Sequence, residues 1–389
     1  MRQIKNFDKL SKRILKAISA KERIILYGDS DLDGTVAVIV LKEAIVNLGG
    51  SDPTLYFSDR HQEEAGLNEL ALNSLNSYAP ALLVVVDCGI GNFNEVKLAG
   101  KMGFDVVIAD HHEILERLPE ASIIVNPKQG RKNGRFYHLA AAGIAFELAE
   151  AILGKKFSGK LKEDLLGLTA LATISDMVPE IGENKKIISE GLIALENSWR
   201  PAINVLFDFG IAKNCFSTRE IVRKAIVIIN ITDKEGDLGE IYLLLVSPTI
   251  EEAKMRFERF LQKGSDRQIK IEESVEKFKA KIFSKGAKSI IFEGDEDVPR
   301  PLLGVIASRI CLYFEKPIFI YKKTEKENVG SFRTPSGFDG IRALVSCSKL
   351  LRKYGGHAPA GGFNFQEKDK ESLEKGLLDY FTKEAKKKK

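Results

Sequence analysis

Cysteine is scarce in this chain. Four occur in 389 residues (Cys88, Cys215, Cys311 and Cys347), and no two form a CxxC pair. That excludes a disulfide framework and a thiolate zinc module. Long apolar runs are missing too: nothing approaches the roughly 18 residues needed to span a bilayer. The opening MRQIKNFDKL has no secretory apolar core. An excess of one charge is nearly absent as well. The net charge is +5, but Lys383 and Lys386 to Lys389 supply five positives against Glu384. The body is therefore at about +1, with a basic tail. Net charge alone does not argue for an anionic partner; sites must. No repeat of fixed period is visible. With 44% hydrophobic and 29% charged residues, disorder, collagen and coiled coil are excluded as the main architecture. The length suits two or three domains at roughly 100–200 residues each. These absences predict a soluble, cytoplasmic protein with no membrane partner.

Short apolar runs alternate with helical patterns over the first third. Strands are predicted at Arg23–Asp29, Pro53–Asp59, Ala81–Asp87, Asp105–Asp110 and Ser122–Pro127, with helices near 35–48, 66–77 and 93–102. ALLVVVD and DVVIAD are almost continuously apolar, as in parallel strands covered on both faces. The pattern predicts an α/β fold with a doubly wound parallel sheet. From about 139 the periodicity turns helical, and a second helical block runs from 217 to 284. Strand-like AKSIIFEG and KPIFIYKK follow, then glycine-rich GGHAPAGGF and a last helix. The expected division is a domain over 1–210, a helical connector over 211–284 and a smaller α/β domain over 285–389.

Acids and histidines gather at the predicted strand ends: Asp29-Ser30-Asp31-Leu32-Asp33-Gly34 after the first, Asp87-Cys88-Gly89 after the third, Asp110-His111-His112 after the fourth. Asp176 follows a helix in TALATISDMVP. Carboxyl ends of parallel strands open onto one crevice. Carboxylates packed there repel unless a cation neutralises them. Oxygen donors with imidazole suit Mn²⁺ or Mg²⁺, and paired divalent ions are a standard device against phosphate esters. Each piece also has a plainer reading. DSDLDG opens like an EF-hand loop, but its twelfth position is Val40. An Asp-Gly pair is usually a turn or cap, and Cys88 suits a small packed residue. His-His is harder to dismiss, because the chain has only five histidines.

In combination, GDSDLDG, VVDCG, ADHHE and ISDMVP resemble the four motifs of the DHH phosphoesterases. IVNP, AAGIAF, GEN at 182–184, LGVIASRI, VGSFR and GGHAPAGGF extend the resemblance, in order, to the RecJ branch and its small nucleic-acid-binding domain. The chain ends too soon for the OB-type domain of bacterial RecJ and looks more like the shorter, archaeal-type homologues.

The resemblance implies a hydrolase of single-stranded DNA, with RNA left open. It would work from an end, 5′→3′, and release 5′-mononucleotides in DNA repair or replication, with proteins of those processes as candidate partners. It implies two divalent ions, Mn²⁺ preferred or Mg²⁺, held by Asp29, Asp31, Asp33, Asp87, His111 and Asp176, with Asp87 bridging. It casts His112, Asp87 and His111 as catalytic. Arg60, Arg267, Ser331, Arg333, Gly355, Gly356 and His357 match substrate-binding positions. The sequence departs from the pattern at Tyr27, where some relatives carry histidine, and at Lys185, where many have arginine. Two alternatives stay open: a DHH-type oligoribonuclease or cyclic-dinucleotide phosphodiesterase, and a replication scaffold of the same fold.

Overall fold

Residues 4–58, 66–114, 117–208, 215–286 and 289–387 are described by the computed structural model. They divide into two compact units, Met1–Gln262 and Lys263–Lys389. The chain passes from one to the other inside a single helix of 36 residues, Ile250–Lys285. Val222, Ala225, Ile229 and Ile241, from the segment expected to connect domains, are buried in the main core of the first unit. Helical periodicity announces an apolar face without saying what covers it.

In the first unit, β1 (Ile24–Gly28), β2 (Thr54–Phe57), β3 (Ala81–Val86), β4 (Phe104–Ala109) and β5 (Ile123–Val125) form one sheet in the order β2-β1-β3-β4-β5. Every pairing in it is parallel. The strands expected from the sequence are present, with ends moved by one or two residues. Their continuous apolarity has a direct cause. Along β1, Ile24 and Leu26 enter one core while Ile25 and Tyr27 enter another, because successive side chains point to opposite faces. Helices α1 (Phe7–Ser19) and α2 (Leu32–Asn47) cover the first face; α3 (Glu69–Leu75) and α4 (Phe93–Lys101) cover the second. On the first face lie also α5 (Ala141–Leu153), α6 (Gly159–Ser175) and α7 (Gly182–Glu196). α2 is buried almost all round, so it reads as apolar on every side rather than amphipathic. The strand order reverses between β1 and β3, which opens a crevice at their carboxyl ends.

Helices α8 (Pro201–Asp208), α9 (Thr218–Ile229) and α10 (Glu240–Leu245), with a short hairpin β6 (Lys234–Glu235)–β7 (Leu238–Gly239), complete this unit up to α11 (Ile250–Lys285). A buried ion cluster ties three of its helices. Arg200 donates from Nε to both oxygens of Asp164 at 2.8 and 2.7 Å and pairs with Glu43, and its Nη1 donates to Leu245 O.

The second unit holds a mixed sheet of β8 (Ile291–Asp295), β9 (Ile318–Lys322), β10 (Glu327–Arg333), β11 (Lys353–His357) and β12 (Ala360–Gln366), ordered β11-β12-β10-β9-β8. Only β8 and β9 run parallel. Helices α12 (Leu303–Phe314), α13 (Gly340–Ser346) and α14 (Lys370–Lys387) pack on it. Phe319, Phe332, Phe363 and Phe365 fill one of its cores. Among the described residues no helix is long and apolar enough to cross a membrane.

Candidate metal centre

The reversal point carries the acids. Asp29 to Asp33 follow β1, Asp87 follows β3, and Asp110 to His112 follow β4. Asp176 caps the carboxyl end of α6. Asp31 caps α2, accepting from Asp33 N and Gly34 N at 3.1 Å each. Gly34 is needed here: a Cβ on it would lie 2.5 Å from Asp29 O. Without that side chain the first turn of α2 presses against the end of β1, which brings Asp29, Asp31 and Asp33 together. Asp87 adopts the left-handed region at φ 59°, a conformation that carries strain for a residue with a side chain.

These residues converge. His111 Nε2 lies 3.2 Å from Asp87 Oδ1, 3.5 Å from Asp176 Oδ2 and 3.7 Å from Asp33 Oδ2. Three groups have donor atoms within 4.8 Å of one another: Asp33, His111 and Asp176; Asp29, Asp31 and Asp87; Asp87, His111 and His112. Asp87 belongs to two of them, so its carboxylate faces both sides of the cluster. Burial, then the Asp176 and Asp31 charges, pushes Asp33 well above the usual carboxylate range. Burial, then Asp31 and Asp33, does the same to Asp87. Asp87 Oδ1 is buried and accepts no hydrogen bond. A dense set of carboxylates with one imidazole and a spare buried oxygen fits a hard divalent cation. All six residues expected to bind metal are thus in one place.

Neighbouring groups hold these side chains in position. Asp33 accepts from the amides of Ala141 and Ala142 at 2.7 and 2.9 Å. The AAGIAF segment therefore serves through backbone N–H groups at the start of α5, where the helix dipole favours an anion. Ser58 Oγ and Ser30 N donate to Asp29 Oδ1 at 2.9 and 2.7 Å. Asn230 spans two site elements, accepting from Leu32 N at 3.3 Å and donating to Ser175 Oγ at 3.2 Å. Asn184 of the GEN segment donates to His138 O and Pro179 O, bracing the turn that follows Asp176. Tyr27 is no ligand: its ring stacks on Tyr56 at 5.3 Å and its hydroxyl donates to Gly66 O at 2.8 Å, on the other face of the sheet.

Asp110 was visible in ADHHE but carried no site assignment of its own. Its carboxylate is fully buried and receives Ile90 N at 3.0 Å, His111 N at 2.7 Å, His112 N at 3.1 Å and His112 Nδ1 at 2.8 Å. Burial would raise it, but the charge and hydrogen bonds of His112 hold it below the usual range. Burial would likewise lower His112, yet the charge and hydrogen bond of Asp110 raise it to about 9. With Nδ1 held by Asp110, the other nitrogen of a half-exposed ring is free to meet a ligand. The sequence signal for this role was the acid directly before the histidine pair. Asn126, from IVNP, adds a bond to His112 O at 3.0 Å.

Five of the expected substrate residues form a second cluster, in the second unit. Arg333 donates to Ser308 Oγ at 2.9 Å, Ser331 Oγ at 3.2 Å and Phe332 O at 2.8 Å, all neutral oxygens. Burial lowers its pKa. Gly304 of LGVIASRI lets α12 approach, since a Cβ there would lie 3.1 Å from Arg333 Nη2. Ser331 pairs with Gly362, and Gly356 and His357 pair with Gly361 and Ala360. Gly355 lies beside them on β11. Arg267 lies on α11, within the second unit. Arg60 lies outside the described residues.

Comparison with known proteins places the chain's relatives. Residues 23–173 match the DHH family, N-terminal domain. Over 379 residues the chain is 30% identical to the single-stranded-DNA-specific exonuclease RecJ of Bacillus subtilis, covering 96% of this chain and 48% of that one. It is 27% identical to the RecJ of Thermus thermophilus over 361 residues, covering 90% and 51%. The chain thus spans about half the length of these two relatives. Its fold is that of Thermus thermophilus RecJ in complex with Mn²⁺ (TM-score 0.82, 22% identity, 98% of this chain and 55% of that one). It is also that of an exonuclease RecJ bound to manganese (TM-score 0.78, 23% identity, 97% and 95%).

Proposed function

We propose, from the premise that residues 23–173 are a DHH-family N-terminal domain in a chain homologous to RecJ, that this protein is a metal-dependent exonuclease of single-stranded DNA. It works 5′→3′ and releases 5′-mononucleotides. The observation that carries the reading is the meeting of His111 Nε2 with Asp33, Asp87 and Asp176 within 3.7 Å. Asp29, Asp31 and Asp87 complete a second group. Asp29, Asp31, Asp33, Asp87, His111 and Asp176 would hold two divalent ions, Mn²⁺ or Mg²⁺, with Asp87 shared. Such ions, when bound, supply an acidified water and Lewis acidity toward the phosphate.

The chain's own groups do the rest. His112 keeps a proton on Nδ1 against Asp110 and presents Nε2 as a donor to a non-bridging phosphate oxygen. Asp33 is pinned by two amides, so it need not reorganise when charge develops. The Arg333 guanidinium donates only to neutral oxygens, with no carboxylate paired to it among the described residues, which suits a terminal phosphate. The likeness to RecJ is what assigns it a 5′ phosphate and the chain a 5′→3′ direction. Digestion of single strands labelled at either end, as DNA and as RNA, with Mn²⁺, tests the reading. A ladder shortening from the 5′ end with mononucleotide product is expected. No cleavage at all would overturn the exonuclease reading, and shortening from the 3′ end would overturn the assigned pocket.

A further inference from the structure

Between β5 and α5 the chain reads PKQGRKNGRFYH over residues 127–138. It carries Lys128, Arg131, Lys132 and Arg135 and not one carboxylate, within a body close to neutral. Its origin is set by the sheet. Val125 pairs with Ala109, and Asp110 N donates to Val125 O at 3.1 Å. The next residue, Asn126, donates to His112 O at 3.0 Å. The basic loop therefore starts at the backbone of the histidine pair. Arg131 is five residues on, within about 18 Å of Asn126 even at full extension.

Two of the four cations have structural work. Lys128 pairs with Glu113 at 3.3 Å and lies 4.5 Å over the Tyr137 ring. Arg135 pairs with Glu183 and lies 5.3 Å over Phe136. These contacts hold both ends of the loop and neutralise its flanks. Arg131 and Lys132 differ. They are adjacent and exposed, and no carboxylate pairs with either among the described residues. A solvated lysine is ordinary. Two adjoining cations left uncompensated on a braced loop, beside a cluster that attracts phosphate only through bound cations, are not explained by packing.

We propose that the 128–138 loop is a strand-binding element for the backbone of single-stranded nucleic acid, with Arg131 and Lys132 contacting phosphates within a few nucleotides of the scissile bond. This rests on the nuclease reading and adds a subsite to it. Each single-strand phosphate contact contributes a slope of about 0.7 to the dependence of log K on log salt. In the full-length protein, Arg131→Ala/Lys132→Ala should therefore flatten the slope for a fluorescent oligodeoxythymidylate by about 1.4 and raise its KM. Arg131→Glu/Lys132→Glu should weaken binding further. Lys155→Ala/Lys156→Ala, which removes two charges from the exposed turn after α5, should keep the original slope. Melting temperatures with and without Mn²⁺ confirm that each variant is folded. An unchanged slope in the 131/132 variants while the parent still digests single strands would overturn the loop assignment and leave the exonuclease reading standing. An equal loss in the 155/156 variant would also overturn it, showing bulk charge at work. A parent protein that neither binds nor cuts single strands would overturn both.

Discussion

Asp110→Asn isolates the residue that orients His112. The substitution keeps the size of the side chain but removes the charge that receives His112 Nδ1 at 2.8 Å. It also turns an NH₂ toward at least one of three donating amides, those of Ile90, His111 and His112. A hydrogen bond to a charged group contributes about 1.5–3 kcal/mol. At about 1.36 kcal/mol per tenfold in rate, that is roughly 10- to 150-fold. The His112 side chain is 53% exposed, so solvent screens part of the charge and the lower half of the range, about 10- to 50-fold in kcat/KM, is expected. The assay is steady-state digestion of a 5′-labelled single strand in Mn²⁺ by the parent, Asp110→Asn, His112→Ala and the double variant. If Asp110 acts through His112, its substitution should cost little once His112 is gone, because coupled residues are not additive. Melting temperatures separate this from unfolding. Full activity in Asp110→Asn, or penalties that multiply in the double variant, would refute the reasoning.

Asp87→Ala should lower hydrolysis by several orders of magnitude and should also abolish any rise in melting temperature on adding Mn²⁺; thermal melts with and without the ion check the second effect independently of activity. Arg333→Ala should shrink the preference for 5′-phosphorylated over 5′-hydroxyl strands more than it slows the hydroxyl strand, measured as a ratio of rates. Arg200→Ala should cost about 3–5 kcal/mol of stability, because it strands the Asp164 carboxylate in a buried site; urea denaturation of the full chain would show it. Asp295, which burial would raise but Lys281 and Lys277 hold down at about 2, gives a pH test. Its folded value lies below its ordinary one, so its stabilisation is present above about pH 4 and is lost as pH falls toward 2. Denaturation midpoints should fall less steeply over that window in Asp295→Asn, and equal acid slopes would count against the pairing.

The amino-acid order alone determined the parallel sheet, and it put at the strand ends the acids and histidine that the folded chain brings together. Near-continuous apolar runs are the mark of strands covered on both faces, and acids at consecutive strand ends have no reason to be there unless those ends meet. Both signals are local in the chain, so they survive without coordinates. The positioning groups were not legible, for a physical reason. Ala141 and Ala142 act on Asp33 through backbone amides, which no side-chain pattern records. Ser58, Asn126 and Asn230 look like ordinary turn and cap residues until packing brings them against Asp29, His112 and Leu32. The helices over 218–245 show an apolar face in sequence, but only tertiary packing assigns that face to the first unit's core. Sequence periodicity states that a face must be buried and which strand ends bear charge. Which surface buries it, and which distant amide or hydroxyl completes each carboxylate, is a property of residues far apart in the chain, and only the folded structure decides it.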